Sequence, residues 1–213
     1  EPVNAPNGGI IYGSAGELTY TPDPNFNGTV SFNYTITDEN GATDTATITI
    51  VVNPINDSPV ATNDNYTVDE DASVIIEPLT AGTPDSDIDG DILSIISIDG
   101  TNLLGGVQTI PVTNGSIDID ASNIITLTPD AGFNGTITFD YVISDGNETA
   151  NATETILVNS VNDAPTAVDD NYVTDEDTPI ALTPLTTGLD TDPDGDALVI
   201  VTINGDNVYY GIT

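Results

Sequence analysis

The stretch "GTITFDYVIS", residues 135–144, alternates apolar and polar side chains along most of its length. Ile137, Phe139, Tyr141 and Ile143 fall on one side of the alternation, and Thr136, Thr138 and Asp140 on the other. Successive side chains of a strand point to opposite faces, so a period of two predicts a strand with one buried face. Its Thr, Ile and aromatic residues suit a pleated, half-buried surface. "ATETILVN" at 152–159 behaves the same way, and so do "GTVSFNYTIT" at 28–37 and "TATITIVVN" at 45–53. Asn-Gly pairs at 27–28, 114–115, 134–135 and 204–205 supply turn chemistry, since both residues tolerate positive φ. No segment carries helical periodicity. Short strands with frequent turn signals predict an all-β chain built as antiparallel sandwiches, with about seven strands per unit.

The chain repeats itself. "NDSPVATNDNYTVDEDASV" at 56–74 returns as "NDAPTAVDDNYVTDEDTPI" at 162–180, and "TPDPNFNGTVSFNYTITDENG" at 21–41 returns as "TPDAGFNGTITFDYVISDGNE" at 128–148. Residues 1–55 are therefore expected to be the C-terminal half of a repeat, 56–161 a complete repeat, and 162–213 the N-terminal half of a further one. Joining "INGDNVYYGIT" at the C-terminal end to "EPVNAPNGGIIYG" at the N-terminal end resembles residues 98–120 of the complete unit. Either the sequence is a two-unit window on a long tandem array, or separate chains complete each other head to tail. The array is preferred, because a half-sandwich leaves open edges and a bare core. Phe26, Phe32, Tyr34, Phe133, Phe139 and Tyr141 are expected to face inward, whereas Tyr66 and Tyr172 sit in polar surroundings.

Composition narrows the chemistry. Of 213 residues, 35 are acidic and none is Lys, Arg, His or Cys. Phosphate contacts need Lys and Arg, so nucleic-acid binding is excluded, and attraction to an anionic membrane surface fails for the same reason. No apolar run is long enough to insert as a helix. An imidazole base, a thiolate nucleophile, a Schiff-base amine and a soft-metal site are all unavailable. Carboxylates, hydroxyls and carbonyls remain, and these hard oxygen ligands suit calcium.

The acidic residues recur in matched series. The complete unit offers Asn56, Asp57, Asp69, Glu70, Asp71, Asp85, Asp87, Asp89, Asp91, Asp130 and Asp145. The following half-unit offers Asn162, Asp163, Asp175, Glu176, Asp177, Asp190, Asp192, Asp194 and Asp196. Calcium takes six to eight oxygens, more than one short loop readily supplies, so donors from a linker and from two facing domain ends are the natural source. "DSDIDGD" at 85–91 and "DTDPDGD" at 190–196 open like an EF-hand. The twelfth position, where that motif needs a bidentate Glu, holds Ile96 in one copy and Val201 in the other, which excludes it.

In this order the motifs resemble the cadherin-like repeats of large bacterial surface proteins, related to VCBS-type adhesin repeats, over essentially the whole chain. "NPINDSPVA" and "SVNDAPTAV" are similar to the cadherin interdomain linker, "VDEDAS" and "TDEDTP" to its Pro-Glu-Asn segment, and the two acidic loops to its Asp-x-Asp loop. "YTITDENG" and "YVISDGNE" are similar to the strand bearing its later ligand aspartate, here Asp38 and Asp145. The resemblance implies tandem Ig-like, cadherin-like sandwiches with Ca2+ at each junction, and places Glu70 and Glu176 on the ligand glutamate. It implies one cluster of Glu70, Asn162 and Asp163 with Asp190 and Asp192, and an earlier one of Asn56 and Asp57 with Asp85, Asp87 and Asp145. The loops, through Asp190, Asp192 and Asp194 or the matching Asp85, Asp87 and Asp89, are also able to hold an ion alone. Pro54 and Ser160 stand near the place of the linker's leading Asp, so the number of ions per junction stays open.

The function expected is structural and not enzymatic: a calcium-stiffened segment of an extracellular adhesin stalk or fibre, at a cell surface or secreted. Its partners are neighbouring repeats of the same chain or identical chains, with cell-surface glycans reached through other domains. A head-to-tail filament subunit and a carbohydrate-binding module are the alternatives.

Overall fold

The computed structural model describes residues 3–13 and 16–208. The expected join between the two ends of the chain runs through residues 1, 2 and 209–213, which lie outside the described residues. The strands of the first segment are β1 (Val3–Ala5), β2 (Gly8–Tyr12), β3 (Leu18–Pro22), β4 (Gly28–Thr37) and β5 (Thr43–Val52). The central segment adds β6 (Asp64–Asp69), β7 (Val74–Ile76), β8 (Ser94–Ile98), β9 (Thr101–Asn102) and β10 (Gln108–Val112). It continues with β11 (Gly115–Ile119), β12 (Ile125–Pro129), β13 (Gly135–Ser144) and β14 (Thr149–Asn159). A single-turn helix α1 (Pro184–Thr187) precedes β15 (Thr202–Ile203) and β16 (Asp206–Asn207).

The chain is all-β but for that one turn, and every strand pairing whose register is resolved is antiparallel. Backbone proximity groups it into two compact units. The first comprises Glu1–Asp64, Glu77–Gly105 and Phe139–Glu154; the second comprises Asn65–Ile76, Gly106–Thr138 and Thr155–Thr213.

In the first unit, β1, β2 and β3 form a three-stranded meander, and β4 and β5 form a hairpin registered from Gly28↔Val52 to Thr37↔Thr43. Val30 and Ile10 are buried, yet Tyr34 is 41% and Ile36 60% exposed. The expected inward set of Phe26, Phe32 and Tyr34 is thus corrected: the two Phe are only half-buried and Tyr34 is exposed. A cavity of ≈ 470 Å³ lined by Ile10, Tyr12 and Leu18 of the meander and by Phe32 and Tyr34 of the hairpin leaves this core open. The same unit holds the β8–β9 hairpin and the second half of β13, where Phe139, Tyr141 and Ile143 are all buried.

In the second unit, β10, β11, β12 and β7 form a four-stranded sheet in that order. Ile110, Ile117 and Leu127 sit on its inward face at 1% exposure or less. Burying each such side chain contributes about 1.5–3 kcal/mol. A Cβ at Gly115 of β11 would stand 3.5 Å from Cδ1 of Ile137 on β13, so the two strands meet face to face as the layers of a sandwich. The five-stranded sheet has the order β6-β14-β13-β8-β9. Along β14 every second residue from Ala152 to Val158 is buried: Ala152, Glu154, Ile156 and Val158. Three are apolar, as period two requires, and one is a glutamate.

Two expectations about local structure change. Only the Asn204-Gly205 pair makes a two-residue hairpin turn with both φ positive, 53° and 86°, between Ile203 and Asp206. Gly28 and Gly135 instead open β4 and β13 at φ of 129° and 136°, each beneath the ring of the Phe two residues earlier. In 162–208 the strands suggested by the repeat are largely absent. The described residues there show the β15–β16 hairpin, an isolated bridge Thr166↔Thr191 and α1.

Candidate metal centres

Each acidic loop folds on its own second aspartate, Asp87 in one copy and Asp192 in the other. Asp87 Oδ1 accepts from the backbone N–H of Asp89 at 2.8 Å and of Asp91 at 3.3 Å, and Gly90 N–H reaches Asp87 O at 3.3 Å. The second copy repeats this: Asp192 Oδ1 accepts from Asp194 N–H at 3.0 Å and Asp196 N–H at 3.2 Å. In the first copy, ligand oxygens of Asp87, Asp89 and Asp91 all lie within 4.8 Å of one another. Asp87 Oδ2 is buried with no hydrogen-bond partner.

The linkers are pinned to these loops in matched fashion. Asp57 N–H donates to Asp89 Oδ2 at 2.8 Å, and Asp163 N–H donates to Asp194 Oδ2 at 2.7 Å. Asn56 Nδ2 donates to Asp57 O at 3.0 Å, and Asn162 Nδ2 to Asp163 O at 2.9 Å. In the second unit the turn after β6 completes the arrangement. Glu70 is buried, and its Oε1 accepts from Val161 N–H, while Asp71 at φ 58° accepts from Gly132 N–H at 3.1 Å. Burial, then Asp194, Asp71, Glu70 and Asp192, push the Asp163 carboxyl above its ordinary range. Each of those four neighbours accepts a backbone N–H through one carboxylate oxygen. Among the described residues, Asp87, Asp89 and Asp91 are the group whose carboxylate oxygens come within 4.8 Å of one another, and no matching group of three forms around Asp163.

Other candidate residues are placed elsewhere. Asp85 is not in the Asp87, Asp89 and Asp91 group. Its carboxylate accepts from the Tyr141 hydroxyl at 3.0 and 3.1 Å and from Thr62 N–H at 2.8 Å. Tyr141 is fully buried, so its hydroxyl needs an acceptor, and Asp85 provides one. Asp190 likewise accepts from Val168 N–H at 2.7 Å. Asp145 joins Asn56 rather than the loop: Asn56 Nδ2 donates to it at 2.9 Å, and that bond, with the backbone amides of Glu148 and Asn147, holds its carboxyl below the usual range. Glu176 is exposed, unlike its counterpart Glu70. Asp71 and Asp91 enter the arrangement although the resemblance did not single them out.

Replacing Tyr141 by Phe strands Asp85 with the Thr62 donors alone. The expected cost is about 1–3 kcal/mol, seen in urea unfolding as a lower midpoint with an unchanged slope. A midpoint equal to that of the unmodified protein would show that Asp85 is solvated instead.

A family model described as Bacterial Ig domain matches residues 1–51, 56–159 and 162–212. No curated protein gives a match. Among solved structures, the protocadherin Gamma B2 extracellular cadherin domains 1-5 align at 15% identity and a TM-score of 0.38, over 76% of this chain and 33% of that one. The titin domains Z1Z2 in complex with telethonin align at 16% and 0.30, over 73% and 74%. An endo-fucoidan hydrolase from glycoside hydrolase family 107 aligns at 18% and 0.30, over 76% of this chain; the chain spans only 23% of that hydrolase.

Proposed function

The chain belongs to the bacterial Ig domain family, and from that premise we propose that it is a structural repeat segment whose junctions bind calcium and stiffen an extracellular stalk or fibre. The observation that carries this is the matched pinning of each linker to its acidic loop, Asp57 N–H to Asp89 and Asp163 N–H to Asp194, with Glu70, Asp71 and Asp192 near enough to Asp163 to raise its carboxyl, in a chain with no Lys, Arg or His to offset them. Glu70 and Asp71 belong to the central repeat, Asp163 to the linker, and Asp192 and Asp194 to the segment beyond. A cation shared by all three ties the linker down and links folding to ion binding. At the earlier junction the matching ion lies against Asp87, Asp89 and Asp91. A cavity of ≈ 330 Å³ lined by Asn25, Phe26, Asn27, Asp57 and Asp89 opens beside it.

The role is mechanical rather than catalytic, because the acidic residues recur from copy to copy as structural ligands do. Among the described residues no helix is long and apolar enough to cross a membrane. The open core around Phe32 and Tyr34 supports a neighbouring half-repeat as partner, supplied by the same longer chain or by another copy. An adhesive target belongs to other domains.

The test is calorimetric titration with calcium. The double variant Asp163→Asn, Asp194→Asn should lose at least about tenfold in affinity at one site, given the loss of two charged ligands. Glu39→Gln, at an exposed turn, should titrate as the unmodified protein does. A double variant that titrates normally would overturn the junction reading.

A further inference from the structure

A second group of carboxylates lies inside the central repeat, and of its three members only Asp85 comes from an acidic loop. Asp64, the first residue of β6, is 2% exposed, and Glu154 of β14 is fully buried. All four of their carboxylate oxygens are buried without a hydrogen-bond partner. Asp85 is the third member, held at the edge of the group by Tyr141 and Thr62. An unpaired buried carboxylate is strongly disfavoured, and this chain has no basic side chain of any kind. Whatever neutralises the group must come from solution.

The pocket is built, not incidental. Gly82 takes φ 54°, and a Cβ there would stand 2.3 Å from Asp64 Oδ1, so glycine is what allows the carboxylate to turn inward. The next repeat has the same pairing. A Cβ at Gly188 would stand 2.7 Å from Asp170 Oδ1, and that oxygen is again buried without a partner. Glu154, by contrast, is not demanded by the fold. The matching position of the first segment, in "TATITIVVN", holds Ile48, which is the residue a core strand would be expected to place there.

We propose that Asp64 and Glu154, with Asp85 and the Tyr141 hydroxyl at their edge, form a cation site inside the central repeat, separate from the junction clusters. The donors are all oxygen, so the ion is a hard divalent cation of the calcium class. The three carboxylates are spread more widely than those of Asp87, Asp89 and Asp91, so the entering ion draws them together. This site does not depend on the junction reading, since the two share no ligand.

The experiment counts bound calcium on the full chain by native mass spectrometry. Glu154→Ile and Asp64→Asn should each bind one ion fewer than the unmodified protein, while Asp163→Asn with Asp194→Asn loses a different ion. Combining Glu154→Ile with the junction pair should remove both. Unchanged stoichiometry in Glu154→Ile and Asp64→Asn would overturn the proposal and assign protons to the pocket. If those variants do not fold, terbium decides the matter. Its tyrosine-sensitised emission should fall in Tyr141→Phe if the ion lies beside that hydroxyl, and emission unchanged from the unmodified protein would overturn the proposal.

Discussion

In excess EGTA the protein should melt roughly 10–20 °C below its melting temperature in millimolar calcium. The size follows from mass action. A ligand held at about a hundred times its dissociation constant by the folded state alone adds about 2.7 kcal/mol. For a domain of about 60–100 residues, each kcal/mol moves the midpoint by roughly 4–8 °C. Removing the proposed ion leaves Asp163 with the unbalanced charge of Asp194, Asp71, Glu70 and Asp192 near it, in a chain of formal charge −35. Their repulsion is then relieved only by opening the junction. Sodium at matched ionic strength should not restore the midpoint, because screening acts over about 8–10 Å and does not bridge ligands. Coincident melts in calcium and EGTA would mean that the sandwich stands on Ile117, Leu127, Ile137 and their neighbours alone.

How much of this was legible beforehand depends on which physical rule each residue obeys. The alternation along 135–144 and 152–159 announces β13 and β14, since period two is imposed by the strand itself. The recurrence of the acidic loops and linkers announces that each linker meets its loop, but the sequence set Asp57 with Asp85 and Asp87, and Asp163 with Asp190 and Asp192, whereas the bonds run to Asp89 and Asp194. Asp85 was opaque for a local reason. It is one of four aspartates at alternate positions, and nothing in that run says that the first answers a buried tyrosine hydroxyl 56 residues away while the next three group their carboxylates together. The half-buried aromatics of 26–34 were misjudged because position within a repeat implies a closed core, and here a cavity between the β1–β3 meander and β4 leaves it open. Glu154 had a visible signal. Aligning the repeats against each other sets it opposite Ile48, at a core-facing place where a carboxylate is costly.

That carboxylate sets the pH dependence of the ion-free protein. Burial first, then Asp64 and Asp85, push Glu154 from its ordinary value of 4.5 up to about 8. Asp64 is shifted in the same direction, by burial and then by Asp85. A raised carboxyl binds its proton more tightly in the folded state than in the unfolded one. Its contribution is therefore fully present below pH 4.5 and is lost as pH rises toward 8. At about 1.4 kcal/mol per pH unit, the loss is on the order of 5 kcal/mol over that window. Glu154→Ile removes the titrating group and fills the strand position with the residue the first segment carries there. In EGTA, urea unfolding should find the variant more stable than the unmodified protein by several kcal/mol at pH 8 and about equal to it near pH 4.5. Calcium should shrink or reverse the difference at pH 8, because an ion in the pocket requires the ionised carboxylates that the fold alone disfavours. Parallel stability profiles for the two proteins in EGTA would show that Glu154 is hydrated in solution, and the core would then hold no unpaired charge for a cation to answer.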